Sequence, residues 1–127
     1  MNANIEKAML QDNLSKVYKW LEEAVNNVHE NPQPYHVSNE CNMINNIVLG
    51  MTAKKYRELH NIVSVSTEHG IRGYLTIEQL KAIDYLRTIN IGLIKAGLSY
   101  QDRKIQLTKE FSSYQNTLQP IKFVIVM

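Results

Sequence analysis

Four histidines, one cysteine and a scatter of carboxylates are the side chains that could do chemistry here. A zinc site would join Cys41 to His29, His36, His60 or His69. Structural zinc takes four ligands at close spacings, and these residues form no tight ligand pair. Cys41 as a nucleophile would need a histidine brought beside it by the fold. Its place on an apolar stripe makes it a small core residue instead. Glu22 with Glu23, and Asp102 with Glu110, do not make a convincing acid pair. Gly70 and Gly73 lack the lysine and hydroxyl that complete a phosphate loop. The chain therefore reads as a non-enzyme, with no metal and no cofactor.

What remains is basic. Lys54, Lys55 and Arg57 share one short helical segment, and Arg72, Arg103 and Lys104 stand at the starts of other elements. These six are the candidate partner-binding residues. The formal net charge is only +2, so a strongly basic footprint for nucleic acid is absent at the level of the whole chain. Gathered by the fold, the six could still touch phosphate. The partner expected is another protein, with weak nucleic-acid contact as an open alternative. Arg72 carries two readings. It is a binding residue on an exposed loop, or it ties that loop to a helix C-terminus.

The elements that must position these residues are helices. Ile5, Ala8, Met9, Leu14, Val17, Tyr18, Leu21, Val25 and Val28 recur at three- and four-residue steps, which predicts an amphipathic helix over residues 4–28. Asp12 and Asn13 could cap a restart within it. Pro32 and Pro34 push their preceding residues out of the helical region, so residues 31–37 read as a linker. A second helix should open at Ser38 or Asn39 and stop at Gly50. Thr52 caps a third, from Ala53 to about His60, with Tyr56 and Leu59 facing inward. Thr76 and Gln79 form a capping box for a long helix that ends at Gly97. Gly92 inside it costs about 1 kcal/mol relative to alanine, which predicts close approach of another helix. Asn90, beside it, is either a buried residue that fixes register or a surface residue. Ser99 opens the last helix, which should fold back antiparallel on its predecessor. The expected core is Ile44, Ile47, Val48, Leu80, Ile83, Leu86, Leu93, Ile105 and Phe111.

The last seven residues, Ile121 to Met127, are β-branched and aromatic with one charge. Exposed, they would be an aggregation hazard, so they must pack or pair. They read as a short strand, set against a strand at Ile62–Val65 or against the same segment of a second copy. The fold class is mostly α: about five helices in a small bundle with a short C-terminal β-strand. Residues 1–30 form an N-terminal amphipathic helix for docking or dimerisation, 31–37 a proline-containing linker, and 38–127 the helical core domain. A homodimer is expected, held by Tyr18, Leu21 and Val25 of the first helix and by Phe123 and Ile125 of the tail.

The chain has 127 residues, 44% of them hydrophobic and 20% charged, which suits one globular domain with a real core. A lone cysteine excludes an internal disulfide and fits a reducing compartment. No basic-then-apolar leader opens the sequence, and no stretch approaches the ~20 apolar residues that span a bilayer. A cytoplasmic location, without membrane contact, is the expectation.

One stretch has a recognisable order. Glu40 and Asn45 precede Leu49-Gly50-Met51-Thr52-Ala53-Lys54, with Arg57 after it. Ile71-Arg72, Thr76-Ile77-Glu78-Gln79-Leu80, Asn90, Leu93-Ile94, Gly97 and Gln101-Asp102-Arg103 follow. From near Tyr35 to Leu107 this resembles the C-terminal accessory region of phage and prophage proteins that carry an N-terminal KilA-N DNA-binding domain. The resemblance implies a stand-alone version of that region, in which the first 40 residues are too short to hold the DNA-binding part. It further implies an antirepressor-like regulator in a bacterial cell that binds another protein, a phage repressor or a host protein. An inhibitor of a host defence complex and a DNA-contacting regulator are the alternatives.

Overall fold

Thr76 and Gln79 act as their spacing predicts. The Gln79 amide donates to Thr76 Oγ1 at 3.1 Å, and the Thr76 amide donates to Gln79 Oε1 at 2.9 Å. Two amides that a helix start leaves without intrahelical partners are thereby satisfied. The helix opened there is the one on which most others pack. The computed structural model describes residues 3–62 and 71–117. It contains α1 (Ala3–Val28), α2 (Pro34–Leu49), α3 (Ala53–Leu59), a single 3-10 turn (Arg72–Tyr74), α4 (Ile77–Lys95) and α5 (Tyr100–Thr117). Among the described residues there is no strand. The expected strands lie outside the described residues, except for Ile62, which is in neither helix nor strand.

Three helices surround α4. Glu6 pairs with Lys81 at 3.1 Å, Asn13 donates to Asp84 at 2.7 Å, and Arg87 lies over the Tyr18 ring. Those positions rise together, so α1 runs parallel to α4. Across α5 the order inverts. Tyr85 stacks on Tyr114 with centroids 5.0 Å apart, whereas Arg103 reaches Asn90. That makes α5 antiparallel, as its short connection requires. The connection ends α4 in a Schellman motif. Gly97, at φ 86, donates to the Ile94 carbonyl at 3.0 Å, and Leu98 donates to that of Leu93 at 3.1 Å. The left-handed φ is the reason a glycine stands there.

Two apolar clusters fill the interior. Leu14, Ile44, Leu80, Leu86 and Leu107 belong to the first; Leu21, Val25, Val37, Cys41 and Ile94 belong to the second. Each fully buried leucine contributes about 1.5–3 kcal/mol. Along α4 the two clusters are separated by a polar step at Arg87 and Asn90, both at most 3% exposed.

Several expectations need correction. α1 is one piece, because Asp12 pairs with Lys16 at 3.4 Å and Asn13 turns to Asp84 rather than capping a restart. α2 opens at Pro34, not at Ser38. Proline is accepted in a first turn, where its missing amide would have had no partner. The linker is correspondingly shorter than 31–37. Leu59 is 60% exposed and Ile105 54% exposed, so neither is core. On α5 the inward stripe passes through Arg103, Leu107 and Phe111. Ile105 lies two residues, or about 200° of helical turn, from Arg103 and from Leu107. Gly92 is exposed, and a Cβ placed on it would meet nothing within 4 Å. Among the described residues, no helix is packed against it there.

Two outcomes follow. Gly92→Ala should raise stability by about 0.5–1 kcal/mol in urea denaturation, since only helix entropy changes. A loss would mean that something sits on that face. At the start of α2, the Gln33 amide donates to His36 Nδ1 at 3.1 Å, which needs a neutral ring. Desolvation, and then the neighbouring His29 stacked at 3.6 Å, hold His36 below its ordinary 6.5. The contribution of this cap is therefore present above pH 6.5 and lost as pH falls through the lower folded value. An NMR titration of the His36 ring checks this, and a midpoint at or above 6.5 contradicts it.

Candidate functional site

Most of the polar residues singled out in the sequence turn inward. Glu40 is on the inner face of α2, Asn90 on that of α4, and Arg103 one turn into α5; their exposures are 5%, 0% and 8%. Arg103 Nη1 donates to Glu40 Oε1, and Nη2 donates to Oε2 at 3.3 Å. Asn90 Nδ2 donates to Glu40 Oε1 at 2.9 Å, and its Oδ1 accepts from Arg103 Nη1 at 3.3 Å. Arg103 Nε donates to the Leu98 carbonyl at 3.2 Å, in the loop between α4 and α5. A planar guanidinium meets a carboxylate in a two-pronged contact, and an amide closes the triangle. Burial, then the Glu40 charge, raise the Tyr100 phenol above its ordinary 10.0, against the opposing pull of Arg103. The node is closed on itself. It joins three helices and offers little to a ligand.

Arg72 is also internal, at 5% exposure. Its Nη1 donates to the Gln11 carbonyl at 3.4 Å and to Ser15 Oγ at 3.1 Å. It ties the 3-10 turn to the middle of α1, not to a helix C-terminus. As candidate partner residues, Arg72 and Arg103 are therefore corrected: both are buried in the framework. Lys104 is exposed on α5.

The α3 residues fare differently. Lys54 and Lys55 are exposed and Arg57 is half-buried. Lys54 and Arg57 line a cavity of about 410 Å³ between α1, α2 and α3, and Arg87 of α4 lines it too. Tyr18, Ser38, Cys41, Asn42, Asn45 and Ala53 complete its described walls. Arg87 was not singled out from the sequence. It falls on the buried side of an amphipathic helix, and a single arginine at such a position carries no motif.

Of the residues expected to hold a dimer, Leu21 and Val25 are buried in the chain's own second cluster. Tyr18 packs against that cluster and faces the cavity. Phe123 and Ile125 lie outside the described residues. Ile5, Met9 and Val28, expected on the apolar stripe of α1, are corrected: each is more than half exposed, and Ile5 and Met9 share the outer face of the helix with the equally exposed Trp20. Among the described residues, no group of three or more His, Cys, Asp or Glu side chains could hold a metal ion. Nor is any helix there long and apolar enough to cross a membrane. Comparison of the chain with family models, curated proteins and solved structures finds no match.

The node sets a quantitative expectation. Removing one partner of a buried ion pair costs about 3–5 kcal/mol, whereas replacing both with apolar groups costs much less. Glu40→Leu and Arg103→Met should each destabilise by about that amount, and the double variant by clearly less than the sum. Urea denaturation of the three variants measures it. Additive losses would mean that the pair is not coupled.

Proposed function

We propose that this chain is a protein-binding module of phage or prophage regulation, antirepressor-like in action. The single observation that carries the reading is the outer face of α1. Ile5, Met9 and Trp20 are 54%, 57% and 55% exposed and recur at helical spacing on the side away from the core. Isolated exposed apolar residues are ordinary, but an aligned set with a tryptophan resembles the anchor of a protein interface. Regulation by protein contact is what the resemblance to KilA-N-associated regions implies. An inhibitor of a host protein or defence complex would use the same surface and differ only in its partner. DNA contact is the second reading, favoured by the exposed Lys54 and Lys55 beside Arg57.

The test is affinity capture of the tagged chain from its host's lysate with nuclease present, using wild type and Trp20→Ala. One stoichiometric protein partner should be recovered with wild type. Trp20→Ala should weaken that complex by about 2 kcal/mol or more, the loss typical of an anchor residue. The partner's identity separates a phage repressor from a host target. Partners that vanish with nuclease, together with steeply salt-dependent DNA binding lost on neutralising Lys54 and Lys55, would shift the reading to DNA.

A further inference from the structure

The cavity between α1, α2 and α3 has an unusual floor. Arg87 is 3% exposed, and its Nε and Nη1 are buried without a hydrogen-bond partner among the described residues. A buried guanidinium normally has its donors paired, because leaving them unmade forfeits their hydration with no return. The Tyr18 ring, 6.0 Å from the guanidinium carbon, and the charge of Asp84 on the same helix offset part of the Arg87 charge, but neither bonds Nε or Nη1. Lys54 and Arg57 stand at the same cavity, so three cationic side chains line it. Among the described residues that line it, none carries a carboxylate. Ser38, Asn42 and Asn45 add neutral hydrogen-bonding groups.

We infer that this cavity is an oxyanion receptor that takes the carboxylate of an acidic side chain from the partner protein. Charge and unmet donors call for the anion. Shape calls for a peptide rather than a compact free ion. The cavity adjoins a second one of about 360 Å³, with Tyr18 and Ser38 lining both. The second runs on past Pro32, Pro34 and Val37 between α1 and α2. The two together form a groove with a cationic end at Arg87, Lys54 and Arg57 and a polar end lined by Glu22, Asn26 and Gln33. An extended segment fits it, with an acidic residue over Arg87 and a polar or basic residue beside Glu22. This rests on the protein-binding reading and deepens it, because α1 contributes to both surfaces.

The decisive probe is glutarate, with inorganic phosphate and chloride as comparison anions. Isotope-labelled full-length chain is titrated and followed by amide shifts in NMR. Glutarate should shift the amides of Asn45, Lys54 and Arg57 saturably, and chloride at equal ionic strength should not. Arg57→Gln should weaken binding about tenfold, the loss expected for one charge-assisted contact. Arg87→Met should abolish binding while keeping the fold, because it removes a buried guanidinium whose Nε and Nη1 make no hydrogen bond and leaves a side chain of similar length. Should that variant not fold, the Lys54→Gln, Arg57→Gln double variant carries the same test from the rim. No saturable glutarate shift, or equal binding in the variants, overturns the inference. So does saturation by phosphate alone. In lysate capture, the double variant should lose the partner. If Trp20→Ala loses the partner and the double variant keeps it, the groove assignment falls and the protein-binding reading stands. If no variant and no wild type recovers a protein, the protein-binding reading falls, and with it the acidic segment as the source of the anion.

Discussion

The contact between Glu40 and Arg103 is the constraint on which the rest of this bundle depends. Two charges taken from water cost several kcal/mol each, and only close, well-directed bonding offsets that loss. Here Arg103 reaches both carboxylate oxygens, and Asn90 bonds to each member. Apolar side chains can slide past one another at modest cost. A two-pronged ion pair cannot, since half a turn of slip would strand both charges. The node therefore sets the register of α2 and α5 on α4. Arg103 also holds the Leu98 carbonyl, which links that register to the loop that reverses the chain.

Around the node the apolar clusters supply most of the stabilisation, and they would tolerate more than one arrangement. α1 shows how that freedom is limited on the other side. Its inner stripe of Leu14, Leu21 and Val25 is buried by ordinary packing. Its direction is set by polar contacts along its length: Lys7 to the Gly73 carbonyl, Glu6 to Lys81 and Asn13 to Asp84. Individually such exposed contacts contribute little. Together they select the parallel arrangement from those that bury the same area. Asp84 registers the cost of its place there, since burial raises its carboxyl above the ordinary value against the pull of Asn13 and Arg87.

Polar residues in this chain thus divide by what they face. Glu40, Arg72, Asn90 and Arg103 are all at most 8% exposed. They describe a framework more than an activity. Surface chemistry lies with Trp20 on α1 and with Lys54 and Arg57 on α3. Arg87 belongs to neither group. It is as buried as the node but lacks the node's bonds.

Local rules were legible from the amino-acid order alone. The cap at Thr76, the stop at Gly97, the turn at Gly50 and the long stripe of α4 depend on residues within one or two turns. Such interactions do not need the rest of the fold. The mostly helical class followed from them. Where two local rules competed, the sequence misled: the two prolines read as a break, yet Pro34 begins α2 because a first turn has no use for its amide. On α5, apolar residues alone could not phase the helix, since a charged residue, Arg103, occupies its inner face and Ile105 its outer one. Only the tertiary structure decided those matters. It set whether Asn90 was core or surface, whether Arg72 and Arg103 met a partner or another helix, and which distant side chains surrounded Arg87. Each depends on contacts between residues tens of positions apart, and no periodicity along the chain encodes which charge a buried charge will meet.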